Sequence, residues 1–422
     1  MTTRRLPLAY ILAVVLVAGC AGSNRADSSN AADLAITNLT VVDVENGRII
    51  PEQVVLIKGN RITVVADAAR VRFAMPARVI DGTGKYMMPG LWDMHAHLTL
   101  SGRPTTIELP LFVAHGVTGV RVMGANCRRP APGLSGCLEA HRDWQQKIER
   151  GELIGPRLVA LASWPVNGSA GITDSMPPYF KAVTTDDGRQ LARYFKQRGV
   201  DFIKIYNAVP RAGYLGLADE ARKLDLPFAG HEPSTLSAIE LSNAGQKSIE
   251  HSRAFLMNCF PGADSMRKGL LRLPQTVLRR RMVDEYDART CAVMDFYRKG
   301  LELTNAAYRA GVPIMLGTDA GDSFVFPGAS VHDELVELVT AGLSPAEALK
   351  AATLSGAEYL GRTADFGAVE PGRFADLLLL DANPLADIRN TRRLHMVLLG
   401  GRVFDRQALD ALLASVEAEV KR

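Results

Sequence analysis

Met88-Pro89-Gly90-Leu91-Trp92-Asp93-Met94-His95-Ala96-His97 is the stretch on which the fold turns. The Pro-Gly pair breaks the chain, and an apolar, strand-like run follows it. Alternate residues of a strand share a face, so His95 and His97 point the same way with Asp93 beside them. Two imidazoles so placed can chelate one metal ion, although an isolated H-x-H is more often not a metal site.

The pattern differs on the two sides of this break. Upstream, 34–43, 53–58 and 61–65 read as short strands, with Asn46-Gly47 and Gly59-Asn60 as hairpin signals between them. Downstream, short apolar runs alternate with helical stretches, the mark of βαβ units. Strands are expected at 91–97, 117–122, 157–162, 201–206, 227–231, 248–251 and 313–318, and helices at 187–198, 213–224, 235–244 and 331–341. Beyond Gly361 two buried-strand runs return, beginning at Phe374 and His395. The expected fold is α/β: a TIM-like (β/α)8 barrel over 90–362 with a small β-sandwich domain, 33–89 plus 363–410, built from both chain ends. Its seventh strand has no clear counterpart. Residues 252–312 read as polar and helical, with 271–278 the one weak candidate, which would leave that wall of the pocket altered.

Four further runs carry chemistry. In Asp201-Phe202-Ile203-Lys204-Ile205-Tyr206, alternation puts Phe202, Lys204 and Tyr206 on one face. A lysine in an apolar strand is costly to bury charged, so its pKa is expected to fall. A neutral amine there can capture carbon dioxide and become a bridging carbamate; the alternative is a lysine reaching past the strand end to solvent. Phe228-Ala229-Gly230-His231 and Ser248-Ile249-Glu250-His251 each end in a histidine, and Ile314 to Thr318 leads to Asp319. Singly, each reads as a cap or a core residue. Together, the six candidates His95, His97, Lys204, His231, His251 and Asp319 fall at the C-terminal ends of expected parallel strands, where barrel enzymes place their sites.

This ordered set resembles the amidohydrolase superfamily. The runs G-H-E-P, A-G-Q-K-S-I-E-H, G-T-D-A-G and P-G-A-S-V-H-D-E-L, with the stretch from Leu343 to Thr353, resemble its imidazolonepropionase-like and prolidase-like branch, and the resemblance runs from Leu34 to Phe404. It implies two divalent ions, with zinc the first expectation and manganese or cobalt equally suited to the ligands. His95, His97 and Asp319 would hold one ion, His231 and His251 the other, and carboxylated Lys204 would bridge them. A hydroxide between the ions would attack the scissile carbonyl, with Asp319 as general base and then acid. Tyr206 would donate to the carbonyl oxygen or simply pack at the barrel mouth. Lys204 favours the two-metal, prolidase-like members over imidazolonepropionase itself.

The implied reaction is hydrolysis of a C–N amide bond in a dipeptide or N-acyl amino acid, with ochratoxin-type aryl amides in range. A cyclic-amide or lactone hydrolase with the same site is the alternative, and a non-catalytic surface lipoprotein is the alternative of another class. The partner is a small-molecule amide or peptide. With a net charge of +4, and Arg279-Arg280-Arg281 reading as a solvated helix face, no nucleic-acid partner is expected. A homo-oligomer stays open.

Arg4 and Arg5 precede the apolar stretch Leu6 to Val17, and Val17-Ala18-Gly19-Cys20 resembles a bacterial lipobox. The expected processing is a lipoprotein signal over 1–20, a linker over 21–32, and export to a periplasmic or cell-surface membrane face by a lipid on Cys20. Cys127–Cys137 and Cys259–Cys291 are the pairings favoured by proximity, with four free thiols the alternative. Among other residues, His332 is a candidate substrate contact and Arg253 a candidate for a substrate carboxylate. His115 reads as a helix-end cap, His141 as part of a polar helix and His395 as part of a late strand.

Overall fold

The computed structural model describes residues 32–73, 78–98, 102–125, 137–168, 180–251, 286–322 and 324–422, with the backbone alone at 137 and over 286–296. Cys20, Cys127, Arg253, Cys259, the 271–278 run and Arg279 to Arg281 lie outside the described residues, as do the side chains of Cys137 and Cys291.

β1 (Leu34–Asp43), β2 (Arg48–Lys58) and β3 (Arg61–Asp67) form an antiparallel meander. Its turns fall at the hairpin signals, where Gly47 and Gly59 take left-handed φ of 65° and 58°. β4 (Arg78–Asp81) and β5 (Tyr86–Pro89) then lie parallel to β1.

After Gly90 the barrel begins. β6 (Leu91–Ala96), β7 (Val117–Val122) and β8 (Arg157–Leu161) run parallel, side by side. β9 (Val166–Asn167), β10 (Phe180–Lys181), β11 (Ile203–Ile205) and β12 (Phe228–Gly230) follow in the order β10-β9-β11-β12. A parallel bridge from Ala162 to Phe202 joins β8 to the β11 segment. Two expected strands are hydrogen-bonded along the barrel without becoming regular. Residues 247–250 lie against β12 through Lys247 N to Phe228 O and Glu250 N to Gly230 O, both 2.9 Å. Residues 316–320 lie against β6 through Met94 N to Leu316 O and His97 N to Ala320 O, also 2.9 Å. Local chemistry explains the irregularity: Pro313 has no N–H to give a ladder, and His251 and Asp319 take left-handed φ of 68° and 65°.

The expected helices form at Thr185–Arg198, Arg211–Lys223, Ala238–Ala244 and Ala329–Thr340. Capping boxes set two of the starts, Thr184 with Asp187 and Ser237 with Glu240. Ser237 acts as the cap, so that helix starts later than its apolar pattern suggests. The long helix Tyr286–Arg309 agrees with the helical reading of the stretch before Asp319. No helix among the described residues is long and apolar enough to cross a membrane.

β13 (Leu377–Leu380), β14 (Leu394–Leu399) and β15 (Arg402–Asp405) bring the chain back beside its beginning. β13 pairs antiparallel with β5, Leu378 opposite Met88. The strands expected as a sandwich thus hydrogen-bond as one continuous eight-stranded sheet, β15-β14-β13-β5-β1-β2-β3 with β4 beside β1. Period-two alternation gives it two apolar faces. Leu377 and Leu379 join Ile36, Val55 and Met396 in the sheet's own core, whereas Leu378 and Leu380 join the barrel core with Leu91, Val117 and Leu316.

His332, a candidate substrate contact in the sequence, is fully buried instead. Its Nδ1 meets Thr391 Oγ1 at 2.9 Å and its Nε2 meets the carbonyl of His115 at 3.0 Å, so both ring nitrogens are engaged by the fold. Burial, reinforced by the nearby charge of Arg392, presses its pKa down to about 3 from 6.5. The unfolded chain therefore binds a proton here that the native chain refuses. The stability is intact above pH 6.5 and is lost as pH falls from there toward the folded value, at up to about 1.4 kcal/mol per pH unit. His332→Asn should flatten this acid limb of a urea-unfolding series by roughly 1 kcal/mol per pH unit; equal slopes in the two proteins would assign the acid sensitivity elsewhere.

Candidate metal centre

Each of the six candidates sits where a barrel strand, regular or not, ends. His95 and His97 leave β6, Lys204 lies in β11, His231 follows β12, His251 follows the bridged 247–250 segment, and Asp319 ends the segment beside β6. Their side chains converge. His95 Nε2 and His97 Nε2 each lie 3.2 Å from Asp319 Oδ1. Lys204, only 1% exposed, has Nζ 3.5 Å from His95 Nε2. His231 and His251 meet Nε2 to Nε2 at 3.0 Å, and the His251 ring lies 4.9 Å from that of His95. Tyr206 lies against His231, ring centroids 4.4 Å apart at an interplanar angle of 31°.

The backbone pays for this aim in conformation. His251 and Asp319 are non-glycine residues in the left-handed region, a cost of order 1–3 kcal/mol each that recurs where a site dictates geometry. Two glycines make room. A Cβ on Gly317 would stand 2.8 Å from that of His95, and one on Gly230, at φ 138°, would stand 2.2 Å from the carbonyl oxygen of Ile205. The G-T-D and A-G-H sequences therefore require glycine sterically.

Asp93, placed beside the histidines by the sequence pattern, serves the frame. Fully buried, it accepts from Thr318 Oγ1 at 2.6 Å, Thr318 N at 3.0 Å and His95 N at 3.1 Å. Burial still lifts its carboxyl above the usual range. Asp319 is the opposite case: burial pushes its carboxyl up, but the imidazoles of His95 and His97 outweigh that and hold it well below the usual range. Burial also depresses His97.

His95, His251 and Asp319 offer ligand atoms that all lie within 4.8 Å of one another. Imidazole nitrogens and a carboxylate oxygen gathered at that spacing form a donor set that fits divalent zinc, manganese or cobalt. Two participants escaped the sequence reading. Glu250 Oε2 takes the other nitrogen of His95, Nδ1, at 2.9 Å, and Arg121 Nη2 reaches both Glu250 oxygens at 2.9 Å. Arg121 had a signal, since it is a lone cation in the apolar strand Val117–Val122, the same anomaly that singled out Lys204. His141, assigned to a polar helix, is buried with its ring 4.8 Å from Trp144. His115 caps the helix Leu109–Ala114 as expected, and His395 pairs with Asp381 at 3.2 Å.

Gly230→Ala should destabilise the protein by about 1–3 kcal/mol, because either the new methyl or the Ile205 carbonyl must move. Thermal unfolding measures this directly, and an unchanged midpoint would mean that β11 and β12 do not approach as closely as described.

Over residues 86–404 the chain matches the model of the amidohydrolase family. Adenine deaminase 1 of Latilactobacillus sakei subsp. sakei (strain 23K) is 30% identical over 115 residues, 27% of this chain but only 19% of that relative. Among solved structures, a putative prolidase from Bifidobacterium longum superposes with a TM-score of 0.67 at 23% identity, covering 91% of this chain and 98% of that one. Ochratoxinase from A. niger gives 0.64 at 21% identity, covering 88% and 95%. Identities at this level establish a shared barrel-and-sheet fold, and the family model spans most of the sequence. This chain belongs to the amidohydrolase family.

Proposed function

We propose that the protein hydrolyses the C–N amide bond of a dipeptide or an N-acyl amino acid. The observation that carries the reading is the meeting of Lys204 with the histidines and Asp319 at one barrel mouth. His95, His97 and Asp319 would hold one divalent ion and His231 and His251 a second. Lys204 is buried among these groups, where its amine, on adding carbon dioxide and releasing a proton, would become an anionic carbamate able to hold the ions. Bound ions of this kind polarise a carbonyl and make water acidic enough to attack near neutrality.

The remaining roles belong to the chain. Both imidazole contacts of Asp319 fall on Oδ1, so Oδ2 is the oxygen placed to take a proton from the attacking water and return it to the leaving nitrogen. Tyr206 is held by its ring against His231 and could direct its hydroxyl to the substrate carbonyl oxygen, where a donor stabilises developing negative charge. The likeness to structures of a putative prolidase, a Xaa-Pro dipeptidase and an ochratoxinase supports a substrate with an amide next to a carboxylate. Relatives named adenine deaminases are matched over a small part of their length, and a cyclic amide or lactone suits the same donors, so both belong among the controls.

Metal analysis after zinc loading should find about two ions per chain, and Lys204→Ala should lower that number. In a screen of dipeptides, N-acyl amino acids, cyclic amides, lactones and adenine, linear amides should be cleaved. Asp319→Asn should cost about 10²–10⁴ in kcat with little change in KM. Cleavage confined to lactones or adenine would replace the reading.

We also propose export and lipid anchoring at Cys20, on the strength of Arg4, Arg5, the apolar run to Val17 and the small residues before the cysteine. Cells fed labelled palmitate should label the wild-type protein, while Cys20→Ala should leave it unlabelled; equal labelling would reject the anchor.

A further inference from the structure

We propose that Arg121 and Glu250 are positioning residues for the metal centre, acting by fixing the tautomer and orientation of His95. The inference rests on the reading above that His95 is a ligand.

Arg121 lies inside the barrel, 1% exposed, and its guanidinium reaches three other segments of the chain. Nε donates to the Met94 carbonyl on β6, Nη2 to both carboxylate oxygens of Glu250, and Nη1 to Ser248 Oγ at 2.9 Å and the Tyr359 hydroxyl at 3.2 Å. Ser248 Oγ donates in turn to Glu250 Oε1 at 2.5 Å. The carboxylate therefore has Arg121 and Ser248 on one oxygen, and Arg121 and His95 on the other.

A carboxylate so paired is anionic and can only accept, which places a proton on Nδ1 of His95. Nε2 is then the nitrogen left for a ligand, and it faces Asp319 Oδ1 and Lys204 Nζ, the centre of the candidate site. The same contact fixes the ring's rotation, since Nδ1 is anchored on the side away from the ligands. Carboxylate partners of this kind orient ligating histidines and raise their basicity. Arg121 matters through Glu250: it balances a charge that would otherwise be buried alone, and its bond to Met94 O locks the carboxylate to the strand that carries His95.

The test uses the full chain with zinc as probe. Glu250→Gln keeps the shape but removes the negative charge and one of the two acceptor oxygens, so the proton on Nδ1 of His95 loses the anion that holds it there. Nitrogen-15 NMR of the metal-free protein should show Nδ1–H at His95 in the wild type and Nε2–H in the variant. Chelator competition should show zinc bound about 10–100-fold more weakly. Because Arg121→Met alone leaves Glu250 unpaired and could fail to fold, the double variant Arg121→Met with Glu250→Gln is the second arm; it should fold and share the affinity loss. An unchanged tautomer, or unchanged zinc affinity in a folded variant, overturns the proposal. A wild type that binds no zinc rejects the hydrolase reading instead, and the NMR signal then decides the tautomer on its own.

Discussion

The site depends on how the barrel closes. The segment ending in Asp319 has little regular strand character, yet it is pinned to β6 by Met94 N to Leu316 O at 2.9 Å and Asp319 N to His95 O at 2.8 Å. Asp93 reinforces the seam by gripping both backbone and hydroxyl of Thr318 while also holding His95 N. One seam thus sets the distance between the H-x-H pair and the carboxylate. Gly317 is what permits it, because any side chain there would collide with His95. The geometry of this cluster and the closure of the barrel are in this respect a single constraint.

Much of this was legible in the sequence because it is local. Period-two alternation orders the residues of β6 and β11, and strand ends in a barrel share one face, so His95, His97, Lys204, His231, His251 and Asp319 could be grouped before any coordinates. The regularity of the strands was less legible. The 248–251 and 313–318 runs were expected as strands, but left-handed residues and a proline limit them to bridges and single hydrogen bonds. The domain at the chain ends was expected as a sandwich because strand-like runs recur at both ends of the chain. That recurrence does not show that β13 pairs with β5 and makes the path continuous.

What stayed hidden is non-local. Glu250 looks like an ordinary acid beside a histidine, and Arg121 like an oddity in an apolar strand. Their meaning comes from each other, across a barrel interior that no sequence window spans. His332 shows the converse. Its position soon after Asp319 suggested the substrate, yet the helix Ala329–Thr340 turns it toward Thr391 and the carbonyl of His115. Nearness in sequence to a ligand says little once a helix intervenes, because its turn decides which way each side chain faces.

The electrostatics of the mouth connect stability with function. Four imidazoles, an amine and an anionic carboxylate are held within a few contacts of one another, with His251 and Asp319 strained to aim them. His231 and His251 meet nitrogen to nitrogen, and His95 is held between two carboxylates, Glu250 at Nδ1 and Asp319 at Nε2. The two left-handed residues are a cost of the folded state that the rest of the barrel carries. A ligand that binds only the folded chain returns RT ln(1 + [L]/Kd), about 2.7 kcal/mol at a hundredfold excess over Kd, which is comparable to the strain of the two left-handed residues. A cation held by these donors would offset that strain, while Asp93 and the Arg121–Glu250 pair hold Thr318 and His95 in place around it.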